Sequence, residues 1–273
     1  MPLALIAAAA IACIWVYLSY QHRQVFKPTS VSAPLSPNPG EHDVDFEIVK
    51  FDGPGKQPLY GWWLPCSPEA STLIFCHGNR GNLSDRTQSC LLYRRLGLNV
   101  FAFDYRGYGR SPGRPTERGL YADAYAAWRY VRDVRGIDAA DIALLGRSLG
   151  GGVASHLALH TKPAAVIIES TFTSIPDLAR EHFRNLPRVG LGRMRFDNVG
   201  RVAQISSPLH MFHSTEDAVI GFHHGETLAR SANCPLTPIR GAHSGGHIES
   251  GTRYTEPLSE FLRSNGLRMT PDS

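Results

Sequence analysis

Apolar strand-like runs alternate with helix-like segments from residue 71 to residue 264, and this alternation constrains the fold more than any other feature of the sequence. The runs are rich in Val, Ile, Leu and Phe, as expected of buried strands. They are, in order, STLIFCH, NVFAFDY, DIALLG, AAVIIES, PLHMFH and the weaker PLTPIRG. Because strands joined by helical crossovers must run parallel, the sequence predicts an α/β fold: a mostly parallel central sheet with helices on both faces.

The helical segments between these runs carry apolar residues at helical spacing. They are predicted at Asn82–Leu96, Thr116–Val134, Leu149–His160, Phe222–Ser231 and Tyr254–Ser264. Ahead of the alternation, DFEIVKF and LYGWWLP flank the turn-like DGPGKQP, which predicts an antiparallel pair. Residues 171–207, between two predicted strands, are long enough to form a small lid. The alternative is that the domain has no lid. The segment includes a basic and apolar stretch, typical of a lipid-facing surface or of an ordinary surface helix.

Length and composition indicate a globular enzyme-sized domain. The chain has 273 residues, and we assign residues 41–265 to one α/β domain and residues 266–273 to a tail. The formal charge is +4 and no dense basic stripe occurs, so nucleic acid is not an expected partner. The five cysteines form no CxxC pair, which disfavours a disulfide framework or a cysteine-based zinc site.

The N-terminal segment differs in composition from the rest of the chain. Leu3–Tyr20 is uncharged and apolar, about the length that crosses a bilayer. No positive charge precedes it, whereas Arg23 and Lys27 follow. We therefore predict that residues 1–22 form a single-pass membrane anchor, with a cleaved signal segment as the alternative and the side of the membrane left open. Residues 23–40 are rich in Pro and Ser and are predicted to be a linker.

A Gly-x-Ser-x-Gly motif at Gly146–Gly150 stands between a predicted strand and a predicted helix. In that context the motif is typical of a nucleophile elbow, in which small flanking residues allow a tight turn and the serine hydroxyl sits at the helix N-terminus. Dinucleotide and P-loop glycine motifs do not fit the surrounding residues. Ser148 is therefore the candidate nucleophile.

The residues that such a serine needs follow predicted strands later in the chain. Asp217 follows PLHMFH and is the candidate acid, with the neighbouring Glu216 expected to be exposed. Two histidines follow the last strand, His243 and His247, and the shorter approach favours His243 as the base. This gives the chain order serine, acid, histidine that an elbow-based triad requires.

An oxyanion formed on attack needs two backbone amide donors. Leu149, directly after the serine, and Asn79, in the loop HGNRGN after an earlier strand, are the candidates. His77 in that loop is expected to order the backbone. The C-terminal third is rich in histidine, but the glycines between His243 and His247 disfavour a helical metal motif, so we expect no metal and no cofactor.

Several stretches resemble one known family. FCHGNRGN, FAFDYRGYGRSPGRPTERGLYADA, LLGRSLGGGVA, ESTFTSIPDLA and the weaker HSTEDAVI are similar to the α/β-hydrolase fold serine hydrolases, and among them to the Bem46-like group that includes α/β-hydrolase domain-containing protein 13. The likeness covers roughly residues 25–262. It implies a triad of Ser148, Asp217 and His243. At the histidine the chain departs from the family pattern: members usually have Asn-Asp after it, and this chain has Ser-Gly. Members commonly carry an N-terminal hydrophobic anchor, and loop-ordering roles are implied for Asp104 and Arg106.

Together these features predict a membrane-tethered serine hydrolase. Its expected substrate is a small or lipid-like ester, thioester or amide, cleaved through an acyl-enzyme. Two alternatives remain open: a catalytically silent, membrane-anchored scaffold, and a peptidase of the same fold. The sequence does not choose the acyl group, because a fold does not specify its substrate.

Overall fold

The computed structural model describes residues 2–182 and 194–270, with side chains from residue 12 onward. Its strands are numbered here in chain order. They are β1 Lys27–Pro28, β2 Glu47–Asp52, β3 Pro58–Leu64, β4 Thr72–Cys76, β5 Arg80–Gly81, β6 Asn99–Asp104, β7 Ile142–Arg147, β8 Ala165–Glu169, β9 Leu209–Ser214 and β10 Leu236–Ile239.

One sheet dominates the described part of the chain, with the strand order β10-β9-β8-β7-β4-β6-β3-β2. The strands from β10 to β6 run parallel, while β3 and β2 are antiparallel to their neighbours. The chain leaves β4 toward β6 on one side and later places β7 and β8 on the other. The strand order therefore reverses between β4 and β7, and such a reversal opens a crevice at the carboxyl ends of the strands.

Helices cover both faces of the sheet. They are α1 Pro2–Val25, α2 Thr87–Arg95, α3 Glu117–Arg129, α4 Leu149–Thr161, α5 Ile175–His182, α6 Asn198–Val202, α7 Phe222–Ala232, α8 Gly246–Glu249 and α9 Thr252–Ser264. One apolar cluster packs α3, α4 and α7 on one face, and a second packs α2 and α9 on the other. The predicted fold class, a mostly parallel sheet between two helical layers, is confirmed.

Two helices begin or end differently from the sequence prediction. Asn82 caps a short 3-10 turn at Leu83–Arg86 through a capping box with Asp85, and α2 begins only after it. The helix predicted to end at Val134 leaves α geometry after Arg129 and finishes as a π-helical turn.

The segment predicted to be a linker lies against the α/β domain. Phe26 is buried, and β1 pairs in parallel with β5 in the loop that follows β4. Further along, the Val31 amide donates to the carbonyl of Gly109 at 2.8 Å. The proposed boundary at residue 40 stays a prediction, but the first residues after α1 are part of the packed structure.

The transmembrane anchor predicted for residues 1–22 is not supported. None of the helices within the described residues combines the length and the apolar character needed to cross a bilayer. The last turn of α1 packs on the domain: Gln21 is buried, and the His22 Nε2 atom lies 2.7 Å from the carbonyl oxygen of Pro115.

The lid predicted for residues 171–207 falls partly on residues 183–193, which lie outside the described residues. The described parts of that segment contain α5 and α6.

Candidate active site

Ser148 occupies the sharp turn between β7 and α4. Its backbone has φ 55° and ψ −120°, a conformation that costs a non-glycine residue about 1–3 kcal/mol. The Ser148 amide donates to the Glu169 carbonyl at 2.8 Å, and Thr171 Oγ1 donates to the Ser148 carbonyl at 3.1 Å. These bonds tie the turn to the end of β8 and hold the strained geometry in place.

Glycines flank the serine because neighbouring backbone leaves no room for a side chain. A Cβ atom on Gly146 would overlap the carbonyl oxygen of Gly150, and one on Gly150 would overlap the carbonyl oxygen of Cys76 at the end of β4. The close approach of α4 to β7 therefore requires Gly146, and its close approach to β4 requires Gly150. This is the packing that a nucleophile elbow imposes.

The predicted serine, histidine and acid come together in one hydrogen-bonded line. His243 Nε2 lies 3.0 Å from Ser148 Oγ, and His243 Nδ1 lies 2.6 Å from Asp217 Oδ2. Ser148 follows β7, Asp217 follows β9 and His243 follows β10, so all three lie at the carboxyl edge of the sheet. The distances fit a histidine that takes the serine proton while the carboxylate orients the ring.

Asp217 is held as a carboxylate. Its Oδ1 atom accepts hydrogen bonds from the amides of Val219 and Ile220, both at 2.8 Å. Burial raises the pKa of Asp217, but the bonds from His243 and from these two amides outweigh it and hold the pKa below its ordinary value. His213 lies behind the carboxylate, with its Nε2 atom 3.7 Å from Asp217 Oδ2 and bonded to the Ile220 carbonyl.

His247, the alternative base, points into a different environment. It is buried, and its Nε2 atom lies 2.9 Å from Ser89 Oγ on α2. Burial, reinforced by the positive charges of Arg147 and Arg86, holds the pKa of His247 far below its ordinary value. His247 is thus a neutral buried side chain bonded to a serine other than Ser148.

A buried polar network surrounds Arg147, the residue before Ser148, and was not predicted from the sequence. Arg147 donates to Glu169 Oε2 at 2.6 Å, to Ser89 Oγ at 2.9 Å and to Tyr93 Oη at 2.6 Å. Tyr254 also donates to Glu169. Burial alone would lower the pKa of Arg147, but Glu169 and Tyr93 raise it above its ordinary value, so the guanidinium stays charged. The register of β7 and β8, which pairs Arg147 with Glu169, is the physical reason for the contact.

The two candidate oxyanion donors lie beside the serine. Leu149 is the first residue of α4, and the amides of a first helical turn have no acceptor within the helix. Asn79 is fixed at its other polar groups: its Nδ2 atom donates to the Val25 carbonyl at 3.0 Å, and its carbonyl accepts from Tyr108 Oη at 2.9 Å. Both residues line the cavity that contains Ser148.

His77 and Asp104 form the base of the Asn79 loop. His77 is fully buried, with its Nε2 atom 3.3 Å from Asp104 Oδ1 and its Nδ1 atom 2.7 Å from the Gly78 carbonyl oxygen. Asp104 Oδ1 also accepts from the Leu83 amide at 3.1 Å. Arg106 instead pairs with Asp123 through several hydrogen bonds. These contacts fit the loop-ordering roles expected from the sequence.

A second cluster of titratable groups joins α5 to α7. Ligand atoms of Glu181, His223 and His224 lie within 4.8 Å of one another, as a metal site would require. However, His224 Nδ1 accepts the Thr173 amide at 3.2 Å, which places the ring proton on Nε2, the atom facing Glu181. A proton on the facing atom suits a hydrogen bond to the carboxylate and opposes binding of a cation there.

Comparison with known proteins agrees with this architecture. The family model of the α/β hydrolase fold matches residues 71–234. An uncharacterized protein of Mycobacterium tuberculosis is 35% identical over 270 residues, covering 97% of this chain and 94% of that protein. Human α/β hydrolase domain-containing protein 17B is 35% identical over 209 residues, covering 73% of this chain and 69% of that protein.

Solved structures show the same fold. An esterase of Pyrococcus furiosus superimposes with a TM-score of 0.72 at 17% identity, covering 87% of this chain and 98% of that chain. At this identity the likeness concerns the fold, and the family follows from the sequence matches. The chain is a member of the α/β-hydrolase family.

Proposed function

We propose that the protein is a serine hydrolase that cleaves a carboxylic ester, thioester or amide. The observation that carries the proposal is the unbroken line from Ser148 Oγ through His243 to Asp217, with separations of 3.0 and 2.6 Å. A hydroxyl bonded to an imidazole that is bonded to a buried carboxylate is the arrangement that activates serine.

In the proposed reaction, His243 takes the proton of Ser148 as Oγ attacks the substrate carbonyl. The amides of Leu149 and Asn79 stabilise the oxyanion, and the helix dipole of α4 adds to this. His243 returns the proton to the leaving group, which departs as an alcohol, thiol or amine. Water, deprotonated by the same histidine, then attacks the acyl-enzyme and releases the acid.

The cavity around Ser148 fits a substrate of moderate size. Its volume is about 470 Å³, within the range typical of small-molecule sites. Apolar side chains from α5 and from the loop after β9 form part of its wall, which suits an apolar acyl group. Ser148 itself is 8% exposed and lines this cavity, which gives a substrate access to its hydroxyl.

The test is turnover of p-nitrophenyl acetate by the purified protein. Ser148→Ala should lower kcat by about six orders of magnitude, and Asp217→Asn should lower it by about four. The matched control is Glu216→Gln, a neighbouring acid whose Oε2 atom accepts the Gly241 amide rather than a group of His243. Folded protein without Ser148-dependent turnover of any ester, thioester or aminoacyl amide would favour the scaffold alternative. Turnover confined to amides of peptides would favour a peptidase.

A further inference from the structure

The cavity around Ser148 has two chemically different sides. One is apolar and is built by side chains from the segment after β8 and from the loop after β9. These side chains are Phe172, Ile175, Leu178, Val219 and Ile220. The other is basic and comes from β1 and the loop after β4, where it is lined by Lys27, Arg80 and Arg86.

Arg86 lies deepest of these three cations. Its Nε atom is buried and makes no hydrogen bond to any described group, and one terminal nitrogen donates to the Arg80 carbonyl at 2.6 Å. Burial, with added repulsion from Arg147, lowers the pKa of Arg86, and Asp85 and Asp104 offset this only in part. A buried guanidinium nitrogen that lacks an acceptor is costly, and an anion bound there would relieve that cost.

No carboxylate of the described residues lines this cavity. The nearby acids have other contacts: Glu169 pairs with Arg147, and Asp85 accepts the Asn82 amide. Asp104 accepts the Leu83 amide through Oδ1, and its Oδ2 atom makes no hydrogen bond to a described group. Within the described chain, Arg86 forms no ion pair with an acid. Lys27 and Arg80 are exposed at the mouth of the same cavity.

We propose that the substrate carries an anionic group, a carboxylate or a phosphate, on its leaving group, and that Arg86 holds this anion while the acyl chain occupies the apolar side. Lys27 and Arg80 draw the anion toward the mouth of the cavity. The inference rests on the proposed serine hydrolase activity and names its substrate class. The reaction is unchanged: Ser148 Oγ forms the acyl bond, the carbonyl-to-leaving-group bond breaks, and His243 protonates the departing anionic alcohol or thiol.

The experiment compares two chromogenic esters with the same acyl group. One is a nitrophenyl butyrate with a carboxylate on the ring, and the other is its methyl ester, which differs by one negative charge. Each kcat/KM is divided by the rate of hydrolysis by hydroxide, which removes differences in intrinsic reactivity. The measured quantity is the ratio of the corrected kcat/KM for the anionic ester to that for the neutral ester.

The wild-type protein should prefer the anionic ester, and Arg86→Gln should lower the ratio by roughly tenfold to a hundredfold, since a hydrogen bond to a charged group is lost. Arg86→Lys should keep part of the preference. Arg95→Gln is the matched control, because Arg95 is exposed on α2 and does not line the cavity, and its ratio should equal that of the wild type.

If Arg86→Gln does not fold, the double variant Lys27→Gln, Arg80→Gln changes only exposed side chains and should lower the ratio several-fold. A wild type without preference, or a folded Arg86→Gln protein with the wild-type ratio, overturns the inference. If Arg86→Gln does not fold, a wild-type ratio in the double variant overturns the inference. In each of these cases Ser148-dependent turnover of the neutral ester would leave the proposed hydrolase standing. Absence of turnover of both esters, with no labelling of Ser148, would overturn both.

Discussion

The backbone of Ser148 is strained, with φ 55°, and a substitution there should show it. Ser148→Gly relieves the strain and Ser148→Ala does not. After subtraction of the entropy that glycine loses on folding, the glycine variant should be more stable by about 1 kcal/mol. Urea denaturation measures the difference.

The control pair for this prediction is Ser155→Gly and Ser155→Ala, at a buried position inside α4. There the order should be reversed, because glycine in a helix interior is about 1 kcal/mol less stable than alanine. If the alanine variant is more stable than the glycine variant at both positions, the elbow is not strained.

The two histidines after β10 should respond differently to replacement by alanine. His243→Ala removes the group bonded to Ser148 and should lower kcat by about four orders of magnitude or more, with little change in stability. His247→Ala removes a buried bond to Ser89 and should lower the free energy of unfolding by about 2 kcal/mol, with Ser148 still reactive. Steady-state kinetics and urea denaturation of both variants check this, and the reverse pattern would make His247 the base.

At the scale of residues, the positions of some side chains follow from the sequence pattern. Ser148, Asp217 and His243 each follow a recognisable apolar strand, and parallel strands bring their carboxyl ends to one edge, so spacing and order suffice. Arg147, Glu169 and Ser89 could not be predicted in the same way. Their contact depends on the register of β7 with β8 and on the position of α2, which no local pattern encodes.

Among the elements, the contact of α4 with β4 is the least tolerant of added volume. Gly150→Ala places a Cβ atom against the Cys76 backbone carbonyl, which cannot move without displacing β4. We expect a loss of about 3 kcal/mol or a failure to accumulate as soluble protein. In the control Gly200→Ala, the nearest atom is the end of the Asp197 side chain at 3.2 Å, and the change should stay below about 1 kcal/mol. Thermal unfolding of both variants decides between the two outcomes.

Two features of the elements were not predicted, and each has its own physical reason. Residues 23–40 have the Pro and Ser content of a linker, yet β1 pairs with β5 and Phe26 fills a site in the core. Composition does not reveal a two-residue pairing between segments more than fifty residues apart. The start of α2 was shifted by the capping box at Asn82, which stabilises a 3-10 turn first.

Over the whole molecule, buried neutral histidines should control stability in weak acid. Burial lowers the pKa of His210 to about 4, and burial with the charge of Arg201 lowers the pKa of His156 to about 4. Both folded-state values lie below the unfolded value of about 6.5, so the unfolded chain binds more protons. Stability should therefore be full above pH about 6.5 and fall as the pH drops toward 4.

The slope of that fall is measurable by urea denaturation at a series of pH values. Each proton taken up on unfolding contributes about 1.4 kcal/mol per pH unit, and these two histidines together contribute up to two protons. His210→Asn should reduce the slope by about one proton. A pH-independent free energy of unfolding between 4.5 and 6.5 would contradict the prediction.

The overall architecture was largely predictable, because alternating strands and helices admit few topologies. The division of the cavity into an apolar and a basic side was not, because its walls come from α1, the β4 loop, α5 and the β9 loop, which are distant in sequence.

The proposed reaction depends on Ser148 being an activated nucleophile. The most direct measurement is mass spectrometry of the intact protein after treatment with a fluorophosphonate, followed by peptide mapping. The structure predicts a single adduct on Ser148, lost in Ser148→Ala and greatly slowed in His243→Ala but not in His247→Ala. Folded wild-type protein that stays unlabelled, or that carries the adduct on another residue, would contradict it.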